Sequence, residues 1–177
     1  MYVALLRGIN VGGNRKVPMA ELRALVESLG LTRVRTLIAS GNLVFEGEGK
    51  AEALEGKLEA GIEKHFGFAV DVIVRTAAQW SAYIAANPFP GEGAQDPSKL
   101  MMTLGKRSPT DADVALLLPR AAGGEKIERA SDAIWLWLPD GAGRSKLAAG
   151  LSGKTVWTAR NWRTVLAIKE MLCSPSR

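Results

Sequence analysis

The chain holds one cysteine and one histidine. A single thiol excludes an internal disulfide and any multi-thiolate metal site. A single imidazole, His65, leaves His-based catalysis and metal ligation one candidate. It follows Glu63-Lys64 late in an acidic amphipathic segment, the setting of a solvated surface side chain. No apolar run reaches the ~18 residues of a membrane span. The apolar start, Tyr2 to Leu6, lacks a basic leader and runs into Arg7-Gly8, the pattern of a strand and not of a signal peptide. A cytoplasmic location without membrane association is the expectation. Catalytic signatures are missing too: there is no G-x-S-x-G and no H-E-x-x-H. The glycine-rich stretch fails both nucleotide patterns, because Gly13 is followed by Asn14-Arg15-Lys16 and the spacing is not G-x-G-x-x-G. The residues call for no cofactor and no resident metal.

What is present suits a globular protein of one or two small domains: 177 residues, 47% hydrophobic. Tyr2 to Arg7 reads as a buried strand. Gly8 to Val17 is a Gly/Asn-rich loop, and Pro18 opens a helix whose Leu22, Leu25, Val26 and Leu29 share a face before Gly30 stops it. Val34–Ala39 and Asn42–Phe45 are strands joined by a turn at Ser40-Gly41. A helix over Ala51–Phe66 and a strand at Val70–Val74 complete a βαββαβ order, and a helix capped by Thr76 follows over Ala77–Ala86. Residues 88–98, with Pro88, Pro90 and Pro97, read as a linker.

The order then repeats. Lys99–Leu104 is a strand, and Thr110 with Asp113 starts a helix in the manner of a capping box. Lys126–Arg129 and Ala133–Leu138 are strands, Ser145–Leu151 a short helix, Thr155–Trp157 a strand and Asn161–Leu172 the last helix. Cys173 caps that helix or packs beneath it. The expected architecture is α+β: a duplicated ferredoxin-like sandwich, each half followed by an extra helix. The halves are residues 1–87 and 99–173. Thr76-Ala-Ala-Gln-Trp80 and Thr158-Ala-Arg-Asn-Trp162 echo one another at the ends of the two halves. One larger α+β sheet is the alternative. Trp135 and Trp137 alternate with aliphatic neighbours and read as sheet core more readily than as base-stacking groups.

The formal charge of +5 is unevenly distributed. Residues 1–20, 28–45 and 141–169 contain eleven bases and no acid, while the rest holds 12 bases and 18 acids. Should these stretches meet in the fold, they concentrate a positive field. If they do not, the pattern only reflects acids collecting on the helices at 51–63 and 110–128. Arg144 and Lys146 flank one expected helix start, and Arg160 and Arg163 lie in the first turns of another. Free N–H groups beside basic side chains suit a phosphate or carboxylate. The loop from Gly8 to Lys16 is either an anion-binding nest or a structural turn.

The segments ALLRGINVGGNRKVPMAELRALVESLG, IASGNLVF, GRSKL and TARNWRTVLAI resemble the signature segments of the bacterial family called domain of unknown function 1697. The resemblance runs from Met1 to about Leu172 and implies an α+β protein with two ferredoxin-like halves. It implies no particular activity. Its motif positions are Arg7, Gly8, Asn10, Gly12 and Lys16; Ser40, Gly41 and Asn42; Ser145 and Lys146; Arg160, Asn161 and Trp162.

The candidate ligand-binding residues are therefore Arg7, Asn10, Gly12, Gly13, Asn14, Lys16, Ser40, Gly41, Asn42, Arg144, Ser145, Lys146, Arg160 and Asn161. The leading expectation is a binding protein for a phosphate-bearing small molecule or nucleic acid. The aromatic RNP pattern of an RNA-binding sheet is missing, since the candidate strands offer only Tyr2 and Phe45. A second reading is a small enzyme acting on an anionic metabolite; its weakness is that no His, Asp or Glu lies in the motif segments to act as a base. A third is a structural or interaction module whose Asn and Gly residues only hold turns.

Overall fold

The computed structural model describes residues 1–13, 15–151 and 155–174. The chain divides into two compact units, residues 1–80 with the chain from Ala167 onward, and residues 81–166.

In the first unit, β1 (Tyr2–Leu6) is a short apolar run buried over Val3–Leu6, as a central strand must be. It lies between β3 (Asn42–Glu46) and β4 (Val72–Thr76), and β2 (Thr32–Leu37) is the outer strand, giving the antiparallel order β2-β3-β1-β4. Helix α1 (Met19–Ser28) has Pro18 at its N-cap and buries Leu22 and Val26. Gly30, at φ 81°, lies just beyond it. Helix α2 (Ala51–Phe66) buries Leu54, Leu58 and Ile62, spaced four apart on one face, and closes on left-handed Gly67. These faces and the sheet form one apolar core that includes Ala4, Leu6, Leu43, Phe45 and Val74.

The β4 edge is closed by side chains. The Arg7 N–H donates to Asp71 O, so the alternating N–H groups of Val72, Val74 and Thr76 point away from β1. Glu59 Oε1 accepts from Val72 N–H at 2.8 Å, Glu55 Oε1 from Val74 N–H at 2.8 Å, and Gln79 Oε1 from Thr76 N–H at 2.9 Å. Glu55 also lies 3.6 Å from the Arg75 guanidinium, with both side chains about 90% buried. An edge satisfied in this way offers no template to another strand.

In the second unit, β5 (Leu100–Gly105), β6 (Lys126–Ala130), β7 (Ala133–Trp137) and β8 (Trp157–Asn161) form an antiparallel sheet in the order β6-β7-β5-β8. Helix α5 (Asp111–Leu117) starts with the expected capping box between Thr110 and Asp113. Helix α6 (Lys146–Ala149) is a single turn. Trp135 is fully buried and meets Trp162 edge-on at 5.6 Å, which places it in the core. The other α-helices among the described residues are α3 (Ala77–Ala85), α4 (Pro90–Gln95) and α7 (Trp162–Cys173). The divide between the units falls within α3 and α7.

Three expectations change. The segment 88–98 is not a bare linker: it carries α4, started by Pro90 in the first turn, and Gly93 lies against Leu100 and Trp162. The last strand extends over Trp157–Asn161, so Arg160 belongs to a strand and only Arg163 lies in the first turn of α7. Cys173 is exposed at the end of α7 and does not pack beneath it.

The Thr110–Asp113 box supplies a pH-dependent prediction. Hydrogen bonds from Arg107, then from the Thr110 backbone and hydroxyl, hold the Asp113 carboxyl far below the ordinary carboxylate range. A depressed folded value stabilises fully above the unfolded carboxyl's pKa of about 4, and that stabilisation fades as pH falls through the folded value. Asp113→Ala should cost about 1 kcal/mol at pH 7. The difference from wild type in urea melts should shrink towards pH 2.

Candidate functional site

The loop after β1 and the turn between β2 and β3 meet in the first unit. Asn10 holds them together: its Nδ2 donates to Val17 O at 3.0 Å and Ala39 O at 2.8 Å, and its Oδ1 accepts from Val17 N–H at 2.9 Å. The Leu6 N–H donates to Gly41 O at 2.8 Å. The loop backbone is left-handed at Gly8, Asn10, Gly12, Gly13 and Arg15, and the turn is left-handed at Ile38 and Gly41. A β-branched residue at φ 51° is strained, and Ile38 is also 57% exposed. Gly12 and Gly13 are exposed and have nothing within 4 Å of where a Cβ would stand, so the loop backbone is open to an approaching ligand.

Beside the Asn10 clamp lies a cavity of about 420 Å³ lined by Asn10, Gly13, Lys16, Val17, Pro18, Met19 and Ala39. Lys16 has no carboxylate partner among the described residues. The other bases of the two acid-free stretches are mostly engaged. Arg7 pairs with Asp71 at 3.3 Å and Arg33 with Glu46 at 2.9 Å. Arg35 donates to the carbonyls of Met171 and Ser174 at the C-terminal end of α7, where a cation meets the negative end of the helix. Arg15 and Lys16 therefore carry the local positive charge, less than a count along the chain suggests.

The structure gives several candidate residues a holding role. Asn42 is 1% exposed; its Nδ2 donates to Leu37 O at 3.0 Å and to Ser40 Oγ at 3.1 Å, closing the β2–β3 turn. Gly41 packs where a Cβ would lie 2.7 Å from Leu6 Cβ. In the second unit, Ser145 Oγ accepts from Ala148 N–H and caps α6, and Asn161 Oδ1 accepts from Thr164 N–H and caps α7. Arg160 is 9% exposed, and its Nη1 donates to Thr158 Oγ1 and Ala159 O. Burial lowers its pKa to about 10. Arg144 is exposed, and Lys146 lines a second cavity of about 550 Å³ with Arg120 and Ala122. Asn14 lies outside the described residues, as does Lys154 of the third acid-free stretch.

Sequence reasoning missed Val17, Pro18, Met19 and Ala39 as cavity lining. Aliphatic residues beside a polar loop carry no signal until the loop is seen to fold over them. It also missed Arg75. The Thr-Ala echo pairs Thr76 with Thr158, but the strand ends pair Thr76 with Asn161, since each ends its strand and caps the helix that follows. In that register Arg75 matches Arg160, and each donates Nη1 to the carbonyl of the preceding residue. The signal was Arg-[Thr/Asn], three residues out of step with the echo.

Fold and site together define a class: mixed α+β proteins with two four-stranded antiparallel sheets and a Gly/Asn-rich loop after the first strand. The chain belongs to the family described as "Protein of unknown function (DUF1697)", whose model matches residues 1–135. That span takes in the first two motif segments and stops before the two at Gly143–Leu147 and Thr158–Ile168. Among solved structures, the conserved bacterial protein SP0830 from Streptococcus pneumoniae is similar in fold: TM-score 0.75, 24% identity, 97% of each chain covered. No curated protein matches the sequence. Among the described residues no helix is long and apolar enough to cross a membrane, and no cluster of His, Cys, Asp and Glu could hold a metal.

Proposed function

We propose that the first unit binds a phosphate-bearing small molecule of nucleotide size through the Gly8–Val17 loop and the Ile38–Asn42 turn. The observation that carries this reading is the cavity of about 420 Å³ in which Lys16 stands beside Gly13. Its volume falls in the range of small-ligand sites, roughly 300–1,000 Å³. Left-handed glycine backbone turns N–H groups towards an anion, and the lysine adds a full charge. Strain at Ile38 beside Ala39 accords with a site and not with a mere connection. Nucleic acid shares the phosphate chemistry, but Phe45 is fully buried with Tyr2 stacked on it at 5.7 Å, so these rings form no base platform. An enzymatic role would need a base, and the cavity lining contains no His, Asp or Glu.

Thermal melts with inorganic phosphate, ATP and a labelled single-stranded oligonucleotide test the proposal. One of the small phosphates at ten times its Kd should raise the Tm by about 3–6 °C. Lys16→Ala should abolish that rise while leaving the ligand-free Tm unchanged, because Lys16 is exposed. An equal rise in the variant, or none with any phosphate, would sink the idea. An oligonucleotide response that weakens steeply with salt would move the reading to nucleic acid.

We also infer that the two sheets are copies of one ferredoxin-like βαββαβ unit, each followed by a helix, α3 or α7. Support comes from the matching orders β2-β3-β1-β4 and β6-β7-β5-β8, and from the paired positions Arg75/Arg160 and Thr76/Asn161.

A further inference from the structure

The groups that line the cavity beside Asn10 are of two kinds. The Lys16 ammonium and the Gly13 N–H have no partner among the described residues and are open to an anion. The uncharged polar groups, by contrast, are engaged by the protein itself. Asn10 is the one uncharged polar side chain among the described lining residues. Both of its Nδ2 protons are donated, to Val17 O and Ala39 O, and its Oδ1 accepts from the Val17 N–H. Its backbone N–H donates to Arg15 O. Pro18 has no N–H, and its carbonyl accepts from the Leu22 N–H at 3.0 Å.

A ligand body in this cavity therefore meets carbon. Val17, Pro18, Met19 and Ala39 present apolar surface, and among the described lining residues no hydroxyl, carboxylate or free amide is left to bond a hydroxyl group. A sugar would give up its hydrogen bonds to water there without replacement, whereas an apolar body gains by leaving water. Met19 is half-buried, and its unbranched thioether adapts to the outline of a ring and makes favourable sulfur–aromatic contact. The flanking residues have the same character: Val11, next to Asn10, is 70% exposed, and Ile38, next to Ala39, is 57% exposed. A single exposed aliphatic side chain is ordinary. These two lie on the two segments that the Asn10 bond to Ala39 ties together.

Charge limits the anionic part. Lys16 is the one cation among the described lining residues. Arg15 turns back along the loop, its Nη1 lying 3.7 Å from where a Gly8 Cβ would stand. One lysine beside open glycine backbone suits one phosphate group. Resting on the phosphate reading given above, we propose that the ligand is a phosphate monoester with an aromatic, hydroxyl-poor body, and that the site discriminates against sugar phosphates.

Isothermal titration of the full chain with naphthyl phosphate and with glucose 6-phosphate tests this. Both carry one phosphate monoester on a body of similar size. Naphthyl phosphate should bind roughly tenfold more tightly or better. Lys16→Ala should weaken both ligands. Met19→Gln, which puts an amide where the thioether stood, should cut the preference between them several-fold. The comparison of ligands is made on the unaltered protein, so it decides the matter even if Met19→Gln misfolds. Naphthyl phosphate binding no more tightly than glucose 6-phosphate would overturn this inference, while binding of either ester or of inorganic phosphate would leave the phosphate reading standing. Uncharged naphthol binding as tightly as its phosphate would also overturn it, since the ring alone would then be held. No binding by either ester or by inorganic phosphate would end both readings.

Discussion

Glu55→Ala should cost about 3–5 kcal/mol of stability, the largest single effect expected in this protein. The substitution removes three things together. It leaves the Arg75 guanidinium, 8% exposed, without the carboxylate 3.6 Å away. It leaves the Val74 N–H, otherwise bonded at 2.8 Å, unsatisfied in a buried setting. It also opens the β4 edge to other strands. Glu55→Gln keeps an oxygen for the N–H and loses only the charge, so its cost should be smaller. Urea melts rank the two variants. Light scattering during the melts should show aggregation rising with Glu55→Ala and little with Glu55→Gln. A cost for Glu55→Ala below about 1 kcal/mol would mean that Arg75 and the edge are held by other groups.

Gly41→Ala should cost about 3–4 kcal/mol, for two independent reasons. Its φ of 79° disfavours any L side chain by roughly 1–2 kcal/mol. The new methyl would also stand 2.7 Å from Leu6 Cβ and 2.8 Å from Ile9 Cδ1, both fully packed, and such overpacking costs about 1–3 kcal/mol. Gly12→Ala is the control. It has a similar φ of 63° but nothing within 4 Å, so only the backbone cost of about 1–2 kcal/mol remains. In thermal melts the two substitutions should differ by several degrees. Equal shifts would mean that Leu6 and Ile9 yield without cost.

The helices were legible because their signals are local. Leu54, Leu58 and Ile62 recur at helical spacing, Gly30 and Gly67 follow helix ends, and Thr76 and Thr110 sit where caps belong. The last strand was legible only at its start: the sequence marks Thr155–Trp157, and the strand runs over Trp157–Asn161. Thr158 to Asn161 reads as the approach to a helix, and only pairing with β5 makes it β8. The candidate site was half legible. Its composition, rich in Gly, Asn and base, marked the loop that lines the cavity beside Asn10, yet most of those polar groups proved to hold backbone. Asn10 and Asn42 each bond to carbonyls across a turn, a use that a polar side chain's identity does not distinguish from ligand contact.

By itself the sequence determined the long helices α1 and α2, the caps at Thr76 and Thr110 and the family, because periodicity, caps and motifs all act within a few residues. The tertiary structure decided the rest. It paired Arg7 and Arg33 with acids 64 and 13 residues away, leaving Lys16 and Arg15 to carry the charge of the loop. It placed Arg75 and Arg160 one residue before the ends of β4 and β8, each donating to the carbonyl of the residue before it. It also laid Glu55 and Glu59 along the β4 edge, where they accept from the Val74 and Val72 N–H groups. Each of these depends on which distant groups share a few ångströms of space, and spacing along the chain does not encode that.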